Sequence, residues 1–176
     1  DDVTFASLCD PKIQQNCRAN GDDPLVLPKR YAQVINDALA NKPADMVVTI
    51  HTCRGNFKSA WVAEGGYDPV VEAMFSTCVD GYFMEFDSAR AGGFEPLRIL
   101  PRGKMVVLGL VTTKVGTLES KDDLKRRIDE ASKFVPIENL CLSPQCGFSS
   151  THHGNALSID DQWRKLERVV EVAAEV

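Results

Sequence analysis

The residues from Met46 to Phe57 read Met-Val-Val-Thr-Ile-His-Thr-Cys-Arg-Gly-Asn-Phe. The apolar, β-branched run from Met46 to Ile50 predicts a fully buried strand that stops at His51-Thr52-Cys53. In extended chain, side chains i and i+2 point the same way, so His51 and Cys53 present an imidazole and a thiol together. Arg54-Gly55-Asn56 then turns the chain into a loop. A soft-donor pair at the exit of a buried strand is where an α/β enzyme holds a metal. Taken alone, the pair fits equally a core strand that ends in a satisfied histidine and an inert buried thiol.

Working outward, the pattern of that stretch recurs. Upstream, Pro28 suits the first turn of a helix whose apolar positions are Tyr31, Val34, Ile35, Ala38 and Leu39. The first 27 residues read as loop. Downstream, Val70, Val71, Met74 and Phe75 follow helical spacing, and Val79 to Phe86 predicts a second strand ending in Glu85 and Asp87. Gly92, Gly93 and Pro96 predict loop with at most a short helix. Lys104 to Val111 is a third strand. Ser120 with Asp122 and Asp123 marks a helix start, Leu124, Ile128, Ala131 and Val135 its buried face, and Pro136 its end. Leu140-Cys141-Leu142 predicts a short fourth strand with Cys141 packed in the core, broken by Ser143-Pro144. Ser158 caps a last helix whose inward face carries Trp163, Leu166, Val169, Val170 and Ala173.

Helix and strand alternating at this spacing signify βα units of a parallel sheet, and strands apolar on both faces predict helices covering it. Four strands are legible, whereas a closed (β/α)8 barrel has eight and runs to about 250 residues. The expectation is a single domain over residues 1–176, either half a barrel or a small open α/β sheet.

The bulk numbers narrow the function. A chain of 176 residues, 44% hydrophobic and 26% charged, has the composition of a globular protein with a core of its own. A net charge of −5 argues against nucleic acid or an anionic membrane surface as the main partner. No apolar run approaches the ~20 residues of a membrane span, and Asp1-Asp2-Val3-Thr4 carries no basic signal-like start. Six scattered cysteines fit a reducing compartment, so the expected location is the cytoplasm.

Three of the four strands are followed by a metal-capable side chain: His51 with Cys53, then Glu85, then Cys146. In a parallel sheet these C-terminal ends share one side, which makes distant residues neighbours. His-Cys-Glu-Cys is a plausible tetrahedral zinc set. Each member alone has a plainer role, Glu85 as a solvated strand-end acid and Cys146 as a small residue before a glycine turn.

The segments His-Thr-Cys-Arg-Gly-Asn, Tyr-Phe-Met-Glu-Phe-Asp and Leu-Ser-Pro-Gln-Cys-Gly-Phe resemble the catalytic barrel of the cobalamin-independent methionine synthase family. Its shorter, single-barrel relatives within the uroporphyrinogen decarboxylase/methionine synthase-like superfamily are more similar still. The resemblance runs along the whole chain and covers the C-terminal half of the family's TIM-type (β/α)8 barrel, strands five to eight. It implies that His51, Cys53, Glu85 and Cys146 are zinc ligands; Glu85, the hardest of them, is the one expected to give way to substrate. It also implies that Asp1 lies near the aspartate that holds the substrate's amino group. The implied reaction moves a methyl group from a folate-type donor to the thiol of homocysteine or a related acceptor, in methionine biosynthesis. A truncated or degenerate relative that binds zinc without chemistry is the alternative.

Two departures from the family pattern stand out. After the third strand the family carries a histidine that helps protonate the departing folate nitrogen, where this chain has Lys114. Lys114 is a candidate replacement acid, although a solvated lysine is the plainer expectation. The first four strands of the family barrel have no counterpart here. His152 and His153 read as loop histidines, since adjacent residues in extended chain point apart. Arg90, Arg98 and Arg102 read as a solvated basic loop. Four strands cannot close a barrel, so the chain is expected to form a homo-oligomer or to depend on a missing N-terminal half.

Overall fold

The computed structural model describes residues 1–176. The alternating pattern builds a single parallel sheet from β1 (Thr49–Thr52), β2 (Gly81–Glu85), β3 (Met105–Val111) and β4 (Leu140–Pro144). The strands lie side by side in chain order, each parallel to the next. Sequential order with every crossover in one direction is the wall of a (β/α)8 barrel, here to half its strand count. The fold is mixed α/β, half of a TIM-type barrel.

Six α-helices accompany the sheet: α1 (Thr4–Ser7), α2 (Pro11–Ala19), α3 (Leu27–Leu39), α4 (Val71–Phe75), α5 (Lys121–Ser132) and α6 (Ile159–Ala173). Two short 3-10 helices, Ala89–Ala91 and Glu95–Ile99, occupy the glycine-rich connection after β2. The Ser120 hydroxyl accepts the Asp123 N–H to start α5, and Ser158 and Asp161 form a reciprocal capping box on α6. Leu124, Ile128 and Ala131 are buried, as their spacing predicts.

The core lies on one face of the sheet. Ile50, Tyr82, Met84, Val106 and Leu108 join one apolar cluster with residues of α1, α4 and α5. The opposite face is not covered by helices: Phe83 is 36% exposed, and Cys141, expected in the core, is exposed on the edge strand β4. The expectation that helices cover both faces therefore fails, because half a barrel leaves its inner surface open.

Three further expectations are corrected. First, β1 starts at Thr49 rather than Met46, and Met46 and Val47 are 50% and 77% exposed. The Asp80 carboxylate takes the Val48 N–H at 2.8 Å and the Lys42 ammonium at 2.9 Å, so the ladder begins only with Thr49 opposite Gly81. Second, residues 1–27 are not loop: they form α1 and α2, the latter capped by the Asp10 side chain with Pro11 in its first turn. Third, α6 is rotated from its expected orientation. Trp163 and Val170 are 64% and 69% exposed, while Lys165 and Val172 are fully buried. Lys165 tolerates burial because its ammonium is held 2.9 Å from Glu119 and also donates to the Thr117 carbonyl. Val34 on α3 is likewise 66% exposed.

Candidate metal centre

The C-terminal ends of the strands bring the four expected donors together. One ligand atom each from His51, Cys53, Glu85 and Cys146 lies within 4.8 Å of every other. His51 is inside β1 and Cys53 follows it by two residues, Glu85 ends β2, and Cys146 follows β4. Donors held 2.0–2.3 Å from one tetrahedral ion must stand about 3.3–3.8 Å apart. Two pairs stand at that spacing: the Cys53 and Cys146 Sγ atoms are 3.6 Å apart, and His51 Nε2 is 3.4 Å from Glu85 Oε1; Cys146 Sγ and Glu85 Oε1, at 2.8 Å, are drawn closer by a hydrogen bond.

The protonation pattern favours a cation. His51 Nδ1 is 2.9 Å from Asp1 Oδ1, and a carboxylate only accepts, so Nδ1 carries the proton. That leaves the lone pair on Nε2, which is buried, lacks a well-directed hydrogen-bond partner and points into the cluster. Carboxylate–histidine pairs of this kind fix the tautomer and orientation of metal-binding histidines. Asp1 thus supports His51, and its carboxylate, largely exposed, keeps a second oxygen for another partner.

Glu85 is fully buried. Burial alone would raise its carboxyl, but the hydrogen bonds from the Cys146 thiol and the Arg54 N–H, with the charge of Lys114, hold it below the usual carboxylate range. Cys146 Sγ donates to Glu85 Oε1 across 2.8 Å, and the Arg54 N–H donates to the same oxygen across 3.3 Å. The two thiols share their charge unevenly. The contact with Cys146, helped by the Gly55 N–H, pulls Cys53 down, while the same contact, burial and the Glu85 charge push Cys146 up. Two thiols, a carboxylate and a neutral imidazole are a donor set that zinc accepts.

Lys114 is not solvated. It is 4% exposed, and its Nζ donates to the Gly55 carbonyl across 3.2 Å, within electrostatic reach of Glu85. Arg90 is also tucked in, its Nη2 2.8 Å from Asp87 and 3.6 Å from Glu85 Oε2, with its guanidinium over the Trp61 ring. Arg98 stays at the surface, paired with Asp68. His152 and His153 stack on each other on an exposed loop and stand outside the donor cluster.

Sequence reasoning did not single out Gln145 or Arg54. Gln145 is 5% exposed and its Nε2 donates to Glu85 Oε2 across 3.1 Å. The Arg54 guanidinium is buried against the Tyr67 ring, 4.5 Å from its centroid. A lone amide or arginine carries no spacing signature; only its place beside a ligand, Gln145 before Cys146 and Arg54 after Cys53, could have drawn notice.

Comparison with known proteins agrees with this fold. The chain is 51% identical to the uncharacterized protein YxjG and 48% identical to the uncharacterized protein YxjH, both of Bacillus subtilis (strain 168). Each comparison covers 100% of this chain and 47% of the relative, so the chain spans about half the length of these curated relatives. A Listeria monocytogenes structure described as a candidate vitamin-B12 independent methionine synthase superposes with a TM-score of 0.75 at 38% identity, over 99% of this chain and 46% of that one. A B12-independent methionine synthase from Shewanella sp. W3-18-1, in complex with selenomethionine, shares the fold with a TM-score of 0.63 at 20% identity, over 84% of this chain and 45% of that one. The family model for the catalytic domain of cobalamin-independent synthase matches residues 31–175. The chain belongs to the cobalamin-independent methionine synthase catalytic-domain family.

Proposed function

We propose that the chain forms the metal-binding half-barrel of a zinc-dependent methyltransferase. It would move a methyl group from a folate-type donor to the thiol of homocysteine or a related acceptor, as a step of methionine biosynthesis. The observation that carries this reading is the convergence of His51, Cys53, Glu85 and Cys146 within 4.8 Å at the open ends of three strands. Family membership supports a methionine synthase-like catalytic role. Zinc, when bound, would deprotonate a thiol and leave its sulfur electron-rich enough to accept a methyl group.

The chain's own residues divide the remaining work. Cys53 and Cys146 would hold the ion as soft, charge-donating ligands, and Glu85 would be the hard ligand that gives way to an incoming thiol. His51 is held in its productive tautomer by Asp1. The free oxygen of Asp1 would accept a hydrogen bond from a substrate ammonium. Lys114 would be the acid that protonates the departing donor nitrogen, a role its burial beside the cluster supports. The acidic net charge suits small substrates rather than nucleic acid, and no helix is long and apolar enough to cross a membrane. The six free cysteines accord with a cytoplasmic location.

X-ray absorption at the zinc edge, with and without saturating homocysteine, tests the reading. The expected result is an added sulfur neighbour with release of a proton near neutral pH. An unchanged first shell would make the site structural.

A further inference from the structure

We infer that Gln145 is a positioning residue: it fixes which oxygen of Glu85 faces the metal, through a buried hydrogen-bonded relay anchored on α6. The inference rests on the metal reading above.

The relay starts at Lys165 on α6, whose buried ammonium holds both oxygens of Glu119 at 2.9 and 3.1 Å. Glu119 Oε1 accepts the Thr112 N–H at 2.8 Å. The Thr112 hydroxyl then donates to Gln145 Oε1 at 2.8 Å, and the Thr113 N–H donates to the same oxygen at 3.3 Å. Gln145 Nε2 donates to Glu85 Oε2 at 3.1 Å.

The orientation of the amide is forced. A backbone N–H can only donate, so the Gln145 atom facing Thr113 must be the carbonyl oxygen, and the NH2 group must face Glu85. Glu85 Oε2 is thereby occupied, and Oε1 is the oxygen left toward His51 Nε2 and Cys146 Sγ. A carboxylate held this way binds an ion through one oxygen and returns to the same place when displaced. Partners that orient ligands in this manner are worth about 10- to 100-fold in metal affinity.

The backbone makes room for the arrangement. Gly109, opposite Glu85 in the sheet, lies under Gln145, and a Cβ there would come 3.0 Å from Gln145 Cα and 3.0 Å from the Met84 carbonyl. The β3–β4 pairing shifts register between Gly109 and Val111, just before Gln145.

The test is zinc affinity by chelator competition, together with the absorption spectrum of the Co2+-loaded chain, for wild type, Gln145→Ala and Thr112→Val. The expected result is zinc binding about 10- to 100-fold weaker in Gln145→Ala. Its Co2+ d–d bands should change while the thiolate charge-transfer band of Cys53 and Cys146 is kept. General collapse of the site would remove both signals and overturn the positioning role. Thr112→Val, nearly isosteric, removes the hydroxyl that donates to Gln145 and accepts the Lys114 N–H, and should shift affinity the same way by less, which keeps the inference testable if Gln145→Ala does not fold. Zinc affinity and Co2+ spectra equal to wild type in both variants would overturn the relay alone. A wild-type chain that takes up neither metal would overturn the metal reading and the relay with it.

Discussion

The Sγ atoms of Cys53 and Cys146 lie 3.6 Å apart, although Cys53 follows the first strand of the sheet and Cys146 the last. In a flat sheet, three strand spacings would set those strands about 14 Å apart. The curvature of the barrel wall, with inward-turned side chains at the strand ends, closes that gap. Curvature is therefore a precondition of the site, and anything that flattens the sheet separates the thiols.

Asp1→Asn should weaken zinc binding by about 10-fold, because the amide no longer enforces the Nδ1–H tautomer of His51. Chelator competition on wild type and variant measures the change directly. Unchanged affinity would leave Asp1 with a substrate role only.

Lys114→Met should leave zinc content intact while lowering methyl transfer by about 100-fold, the lower range for losing a general acid. The readout is kcat, at saturating thiol and donor, in a preparation that turns over. A loss confined to KM would assign Lys114 to binding rather than proton transfer.

The open inner face and the edges of the sheet should drive association. Asp2 covers part of the β1 edge, its N–H donating to the His51 carbonyl and its carbonyl accepting the Cys53 N–H. The apolar residues Ile159, Trp163 and Val170 of α6, 74%, 64% and 69% exposed, have no such cover. A surface of this kind is rarely bare on a monomer. Sedimentation at low micromolar concentration should show a dimer or larger species, and a compact monomer with cooperative unfolding would contradict it.

Burial pushes the Cys9 thiol up from its ordinary 9.0 to about 11. Between those values the unfolded chain loses the proton and the folded chain keeps it, so stability falls as pH rises through that window. Urea titrations from pH 8 to 11 should show a steeper decline for wild type than for Cys9→Ala. Parallel declines would mean that Cys9 titrates normally in the fold.

Much of this architecture is legible in the residues, and the failures share a cause. The caps Ser120 and Ser158 and the placing of His51, Glu85 and Cys146 at or just past the strand ends are local signals, and local chemistry satisfies them. The orientation of α6 is not legible because a paired lysine, Lys165, takes the inward place that periodicity gives to Trp163 and Val170. The start of β1 is displaced because a distant carboxylate, Asp80, takes a backbone N–H that the apolar run assigns to the ladder. Gln145 and the burial of Lys114 depend on contacts between segments more than 30 residues apart, which no single stretch encodes.

The central claim is that four side chains hold one zinc ion. Elemental analysis of zinc-loaded, exhaustively dialysed chain, wild type beside Cys146→Ala, tests it most directly. The account predicts about one zinc per wild-type chain and a large loss in the variant, since removing one of two thiolates from a four-ligand site strongly lowers affinity. Equal zinc in the two proteins, or none in the wild type, would contradict it.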